Sequence, residues 1–192
     1  MSTSTRNRVA GVLLVLAALA AGRFLDENLP AGGDSLRPYD RHGLVQMAVP
    51  TRWADVEAVR VSGAPQVIDR DTLAVSPGLW VVVEVNATPH VDPFTIGWAE
   101  LRGGDGRTYS RGRGSLLCSA TNPGLTAGCV VTIEAAPESL PGSSIALSGN
   151  AMDQRADDMA VIDLGITQEV VDHWLTLTDP LEVPLPVTGG QP

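Results

Sequence analysis

Residues 53–166 consist of short runs rich in Val, Ile, Leu and Trp, separated by Gly, Pro, Asn and Asp. Runs of this length and composition, bounded by turn formers, are typical of β-strands. A chain of such strands cannot bury enough apolar surface unless the strands assemble into sheets. The predicted strands are residues 56–62, 66–75, 79–88, 95–103, 107–112, 128–136, 143–149 and 159–166.

Residues 79–88 show a clear two-residue alternation, which places two sets of side chains on opposite faces of a strand. The sets are Val81, Val83 and Val85 on one face, and Val82, Glu84 and Asn86 on the other. A strand with one apolar face needs a second sheet to cover that face. The motif GGDGR at 103–107 adds an Asp-Gly hairpin signal. The pattern predicts an all-β fold, an immunoglobulin-like antiparallel β-sandwich, over residues 53–175.

The four tryptophans have different expected roles. Trp80 and Trp98 lie in predicted core strands, so we expect them to pack between the two sheets. Trp53 and Trp174 flank the sandwich and either close its ends or act as exposed anchors for a partner. Residues 167–175 form either one helical turn or a last strand.

The N-terminus carries an uninterrupted apolar run from Val9 to Gly22, preceded by Arg6 and Arg8. This pattern is typical of an export signal. The run is shorter than a bilayer core but is extended by the apolar residues that follow it. The least favoured interpretation is a buried helix of a cytosolic domain. We predict instead a retained signal anchor, one transmembrane helix over residues 1–25, with a cleaved signal peptide as the alternative. Either reading places the rest of the chain outside the cytoplasm, because arginines remain on the cytoplasmic side.

The chain has 13 cationic side chains, all of them Arg, and 22 carboxylates, all of which follow the apolar run. Arg6, Arg8 and Arg23 precede the first carboxylate, so ten arginines face 22 carboxylates and the exported part has a net charge of about −12. Such a surface repels nucleic acid, so we expect no nucleic-acid partner. Lysine-free composition with abundant Ala and Gly indicates a GC-rich, actinobacterial type of genome.

Two polar segments flank the predicted sandwich. Residues 26–52 are predicted to be a stalk, in which GLVQMAV at 43–49 is a possible short edge strand. Residues 176–192 form a Pro-rich C-terminal tail. This tail either adds a strand through LEVPLPV at 181–187 or extends into solvent.

Cys118 and Cys129 flank ten residues rich in turn formers. In an oxidising compartment a pair at this spacing predicts a disulfide. Two thiols fall short of the four ligands that zinc requires, and no histidine is near either cysteine in sequence, so metal-binding and catalytic roles are less favoured.

Three groups of polar residues are candidate sites, and each has a structural alternative. The arginines Arg107, Arg111 and Arg113 either pair with neighbouring carboxylates or bind an anionic group such as a polymer phosphate. The carboxylates Asp153, Asp157 and Asp158 either hold calcium or belong to a solvated loop. His90 and Asp92 form either a base held by a carboxylate or a polar turn.

Three stretches in succession carry a resemblance to a known family. They are PGLWVVVEVNAT, WAELRGGDGRTYS and NPGLTAGCVVTIEAAPESLPGSSIALSG, within residues 77–149. Their order resembles the telokin-like, immunoglobulin-fold extracellular domain found behind signal or anchor segments in Gram-positive bacteria. The resemblance implies a fold and a location outside the cytoplasm, and it brings no catalytic residues.

The sequence predicts a non-enzymatic, membrane-anchored protein that works as an accessory or scaffold component of the cell envelope. Its expected partners are the membrane, through the N-terminal helix, and another membrane or cell-wall protein. No cofactor and no metal are expected. The alternative function is a ligand-binding or metal-binding module that uses the arginines or the acidic loop, and an envelope hydrolase built on His90 is the least favoured.

Overall fold

The computed structural model describes residues 15, 17–24, 37–155 and 157–186. The chain divides into two units, Met1–Arg37 and Pro38–Pro192. In the first unit, residues 15 and 17–24 are helical and exposed. The predicted transmembrane helix over 1–25 falls mainly outside the described residues. Within the residues that the structure describes, no helix combines the length and apolarity that a membrane span requires.

The described residues of the second unit form eleven strands, one 3₁₀ turn at Pro137–Ser139 and one α-helix, α1, at Gln168–Leu175. The strands are β1 Tyr39–Leu44, β2 Val49–Pro50, β3 Ala54–Asp69, β4 Thr72–Pro89, β5 Trp98–Arg102, β6 Thr108–Ser110, β7 Leu116–Cys118, β8 Ala127–Ala135, β9 Ser144–Ser148, β10 Asp158–Asp163 and β11 Leu181–Glu182.

The strands form two sheets that pack as a β-sandwich, which confirms the predicted sandwich. Sheet A has the order β1-β10-β9-β5-β6, and sheet B has the order β11-β3-β4-β8-β7 with β2 also paired to β3. Most neighbours are antiparallel, but β1 with β10 and β11 with β3 are parallel. The prediction of a purely antiparallel sandwich is therefore corrected at two edges. Both parallel strands come from the chain ends and reach their partners over long connections rather than hairpins.

The core lies between the sheets and follows the predicted alternation. Val81, Val83 and Val85 are buried in it, together with Ile133 from β8 and Leu147 from β9. Fully burying a side chain of this size contributes about 1.5–3 kcal/mol relative to leaving it exposed. The core is therefore the main source of stability for the sandwich.

Trp80 and Trp98 do not pack between the sheets, so that expectation is wrong. Trp80 is buried on the outer face of sheet B, where it packs with Val82 and Val130. Trp98 is half-buried on the outer face of sheet A. The alternation that points Val81 inward must point Trp80 outward, because neighbouring residues of a strand face opposite sides.

Trp53 and Trp174 both contribute to the central core at its margins. Trp53 stacks on Phe94 with a centroid distance of 4.3 Å and donates a hydrogen bond to the carbonyl of Asp158. Trp174 is buried and comes from α1, whose first turn is capped by the side chain of Thr167. Of the two predicted roles, closing the domain fits the position of both residues.

The predicted strand over 66–75 is instead the tip of a long hairpin. Strands β3 and β4 are 16 and 18 residues long and are joined at Arg70 and Asp71. These two residues have φ of 47° and 65°. Two-residue hairpin turns need left-handed conformations, which glycine usually supplies. Because no glycine marks this turn, the pattern gave no sign that the chain reverses there.

Both segments that flank the predicted sandwich contribute strands to it. In the predicted stalk at 26–52, β1 pairs along its whole length with β10, and Val49 of β2 pairs with Val56. In the predicted tail at 176–192, Leu181 of β11 pairs with Val67. A strand added at the edge of a sheet forms backbone hydrogen bonds with that edge. In this way β1 pairs with one edge of sheet A, and β11 pairs with one edge of sheet B.

Candidate functional site

The two cysteines form a disulfide between neighbouring strands. Cys118 of β7 lies directly opposite Cys129 of β8, with a Cα–Cα distance of 4.3 Å. The sulfur atoms are bonded, so the predicted cysteine pairing is confirmed. The bridge fixes the short edge strand β7 to the central part of sheet B.

Arg113 is held on the outer face of sheet B. Its guanidinium donates to both carboxylate oxygens of Glu134, with Nε–Oε2 at 3.0 Å, and lies 5.5 Å from the ring centroid of Trp80. Ser76 also donates to Glu134, at 2.6 Å. Burial raises the pKa of Glu134, but the hydrogen bonds from Ser76 and Arg113 outweigh it and hold the pKa below its ordinary value.

Arg107 is held at the turn between β5 and β6. It donates to Glu138 at 3.1 Å and pairs with Asp105 at 3.4 Å. Asp105 also accepts a 2.7 Å hydrogen bond from the buried hydroxyl of Ser139, which in turn lies 2.6 Å from the hydroxyl of Tyr109. The hydrogen bond from Ser139, followed by the backbone N–H of Arg107, lowers the pKa of Asp105. This network joins the β5–β6 turn to the 3₁₀ turn.

The three predicted arginines therefore do not converge on one anion site. Arg107 is bound to Glu138 in the 3₁₀ turn, whereas Arg113 is bound to Glu134 on β8. Arg111 is exposed and makes no ion pair with any residue in the described part of the chain. Of the two sequence-based alternatives, pairing with carboxylates accounts for Arg107 and Arg113.

Asp153, Asp157 and Asp158 do not converge on one site either, because each of them pairs with a different arginine. The Arg155 guanidinium donates to Asp153 and lowers the pKa of that carboxyl to about 2. Asp157 pairs with Arg52 at 2.8 Å, and Asp158 pairs with a further arginine, Arg41, at 3.2 Å. The residues that the structure describes contain no group of three or more His, Cys, Asp or Glu side chains placed to hold a metal ion.

His90 faces a different carboxylate from the one that the sequence suggested. Its Nε2 lies 3.6 Å from Oδ1 of Asp55, whereas Asp92 makes no hydrogen bond or ion pair with the described residues. Both members of the His90–Asp55 pair are partly exposed. The neighbouring hydroxyls of Thr88 and Thr126 bond to each other at 2.8 Å and not to His90. The arrangement therefore lacks a nucleophile held by the base.

A cleft on the outer face of sheet B has a volume of about 880 Å³. We call it the acidic trough. Three carboxylates line it, from Asp55 and Glu57 on β3 and from Glu84 on β4. Its rim carries exposed apolar side chains, and these are Val59, Leu125 and Leu185. Sequence reasoning missed this surface, because its residues come from five separate segments of the chain.

The floor of the trough follows from strand register. Asp55 lies opposite Thr88, and Glu57 lies opposite Asn86, which in turn faces Gly128 of β8. Because the side chains at these positions are small or polar, they leave a depression in the outer face of sheet B. The other end of the same face is covered, because Val183 of the C-terminal segment packs there with Trp80. Among the described residues, the trough is therefore the uncovered half of a face whose second half is covered.

A smaller cleft of about 540 Å³ lies beside β1 and β2. It is lined by Tyr39, Arg41, Arg52 and Asp158, among others. Both arginines already pair with aspartates, and the backbone N–H of Arg52 also donates to Asp158 at 2.8 Å. The charges of this cleft are therefore largely compensated within the chain.

Two solved structures are similar to this chain. The yjhA protein from Bacillus subtilis has a TM-score of 0.48 and 9% sequence identity, covering 63% of this chain and 98% of its own. An uncharacterized beta-sandwich protein from Clostridium difficile has a TM-score of 0.42 and 12% identity, covering 66% of this chain and 95% of its own. No family model and no curated protein sequence matches the chain. Membership of the telokin-like family therefore stays a prediction.

Proposed function

We propose that this chain is a non-enzymatic accessory protein of the cell envelope. An N-terminal apolar segment anchors it in the membrane, and its sandwich binds another envelope protein outside the cytoplasm. The assignment to the telokin-like, immunoglobulin-fold group of extracellular domains belongs to the same proposal. Each part of it has its own support.

The disulfide between Cys118 and Cys129 is the observation that carries the proposal. Disulfides persist in oxidising surroundings and are rare where cellular reductants maintain thiols. The apolar run that begins at Val9, behind Arg6 and Arg8, has the composition of an export signal or anchor. Together they favour a sandwich that folds and works outside the cytoplasm.

The alternative function as an anion-binding module has weaker support. Arg107 and Arg113 already bond to Glu138 and Glu134, so an anion would compete with a carboxylate for each guanidinium. Arg111 alone offers a single exposed charge. A protein–protein contact needs no such convergence of cations, since it depends on a surface rather than a pocket.

Location is tested with fusions of the full chain at its C-terminus. Alkaline phosphatase is active only when exported, and a cytoplasmic fluorescent protein is active only when retained. We expect phosphatase activity in the membrane fraction. We also expect that a thiol reagent added before reduction does not label either cysteine of the intact chain, because both are held in the disulfide. Fluorescence with free thiols would contradict the proposal.

Binding is tested by purifying the tagged full chain from crosslinked membranes in mild detergent. We expect one envelope protein to co-purify in a fixed ratio, and the same complex to be recovered from the partner's side by a tag on that partner. Recovery of the chain alone at every crosslinker concentration would contradict an accessory role.

A further inference from the structure

We propose that the acidic trough is the docking groove for an extended segment of the partner protein that carries alternating lysine or arginine side chains. The inference rests on the proposed function, since it names the chemistry of the partner and the face that binds it. Three features of the trough carry it: the spacing of its carboxylates, the incomplete pairing of these carboxylates with cations of the described residues, and the apolar side chains at its rim.

The spacing of the carboxylates matches an extended peptide. Asp55 and Glu57 are two residues apart on one strand, so their side chains leave the same face about 7 Å apart. Alternate side chains of an extended peptide recur at the same distance. A segment lying along β3 therefore places successive cationic side chains opposite successive carboxylates.

The carboxylates of the trough are poorly compensated. Glu57 makes no ion pair with any residue in the described part of the chain, and Asp55 faces only the half-exposed His90. Glu84, at the far end, meets Arg60 at 3.5 Å. Some carboxylates elsewhere on the sandwich, such as Glu134, are bound by an arginine at close range. The trough is thus left with a negative potential that favours a cationic occupant.

The rim of the trough suits the apolar part of such a segment. Leu125 is 53% exposed and Leu185 is 68% exposed. Lysine and arginine have long apolar stems, which pack along aliphatic side chains while their charged ends reach carboxylates. A free metal ion fits less well, because the described residues form no metal-holding cluster. Nucleic acid is repelled by the same negative potential.

The test measures peptide binding to the full chain in mild detergent by fluorescence anisotropy. The probe is a labelled eight-residue peptide in which four lysines alternate with threonine and leucine. We expect binding at low salt that weakens as salt is added, because the charges are exposed and screened. Replacing two carboxylates, Glu57→Gln with Glu84→Gln, is expected to weaken binding about tenfold.

The matched control is Glu169→Gln with Asp179→Asn, which removes the same charge from exposed positions outside the trough. We expect it to bind the probe within about twofold of the unaltered chain, because charges farther away than a Debye length are screened. Thermal melts of both double variants establish that each is folded. An equal loss in the control would show general attraction by net charge and would overturn the proposal.

Two further probes separate the remaining occupants. A peptide of the same composition with its four lysines consecutive is expected to bind several-fold more weakly, and equal binding would overturn the match in spacing. A second copy of this chain is the other candidate occupant. Self-association that Glu57→Gln with Glu84→Gln abolishes would identify that copy and overturn the assignment to a basic partner segment.

The two proposals fail in different ways. A partner that co-purifies equally well with the Glu57→Gln, Glu84→Gln variant overturns the docking groove and leaves the accessory function standing. The absence of any partner for the unaltered chain overturns the accessory function, whatever the peptide binding shows.

Discussion

The indole ring of Trp174 lies in the space into which a side chain on Gly63 would project. Gly63 is a residue of β3, and Trp174 is the buried aromatic residue of α1. The contact joins the helix to the long strand, and the strand can accept the ring only because position 63 has no Cβ. This relationship explains why a glycine occupies position 63 of the strand.

Gly63→Ala is expected to lower the free energy of unfolding by about 1–3 kcal/mol, because the added methyl group must displace the indole of Trp174. Urea denaturation of the full chain in mild detergent measures the change. Ser62→Ala is the control, since Ser62 neighbours Gly63 and points to the opposite face. Equal stability of Gly63→Ala and the unaltered chain would show that α1 can move away without cost.

Cys118→Ala with Cys129→Ala is expected to lower the free energy of unfolding by about 3 kcal/mol, since the bridge closes a short loop in the unfolded chain. The unaltered chain is expected to lose a similar amount when it is reduced. Denaturation curves with and without a reductant provide the comparison. Equal stability of the unaltered chain with and without the reductant would contradict this interpretation.

Ser139→Ala is expected to lower the free energy of unfolding by about 1–3 kcal/mol, because Asp105 and Tyr109 both lose a hydrogen-bond partner. Tyr109→Phe removes only one hydroxyl and is expected to cost about 1 kcal/mol. A double-mutant cycle with both changes should show coupling, because the two side chains share a network. Additive losses would contradict a connected network.

Stability is expected to fall at acidic pH, and Glu134 contributes to this loss. Its pKa is lowered in the folded state from an ordinary value of 4.5, so the carboxylate stabilises the fold above pH 4.5. That contribution is lost as the pH falls from 4.5 through the folded-state pKa. Glu134→Gln should reduce the slope of stability against pH in that window. Unfolding measured between pH 3 and 6 tests this, and an unchanged slope would contradict it.

Ending the chain after Pro180 is expected to lower the free energy of unfolding by about 2 kcal/mol relative to a chain that ends after Pro186. The shorter chain lacks Val183, so the outer face around Trp80 becomes exposed to water. Tryptophan fluorescence should shift to the red in the shorter chain alone. Identical spectra would show that β11 does not protect this face.

The candidate surfaces were predictable only where they depended on local sequence. The cysteine pair was predicted because both residues flank one short loop, and a strand pair brings them together. The partners of Arg113, His90 and Asp158 lie far away along the chain, and register decides them. The acidic trough was missed for the same reason, since its carboxylates on β3 and β4 become neighbours only through the hairpin.

The sequence alone determined the sandwich, because alternating apolar side chains require a second sheet, whatever the order of the strands. It also determined the disulfide and the inward face of β4. The tertiary structure decided which strands β1 and β11 pair with and which face Trp80 covers. It also decided which arginine each paired carboxylate contacts. These depend on contacts between distant residues, and local periodicity carries no information about which distant residues become neighbours.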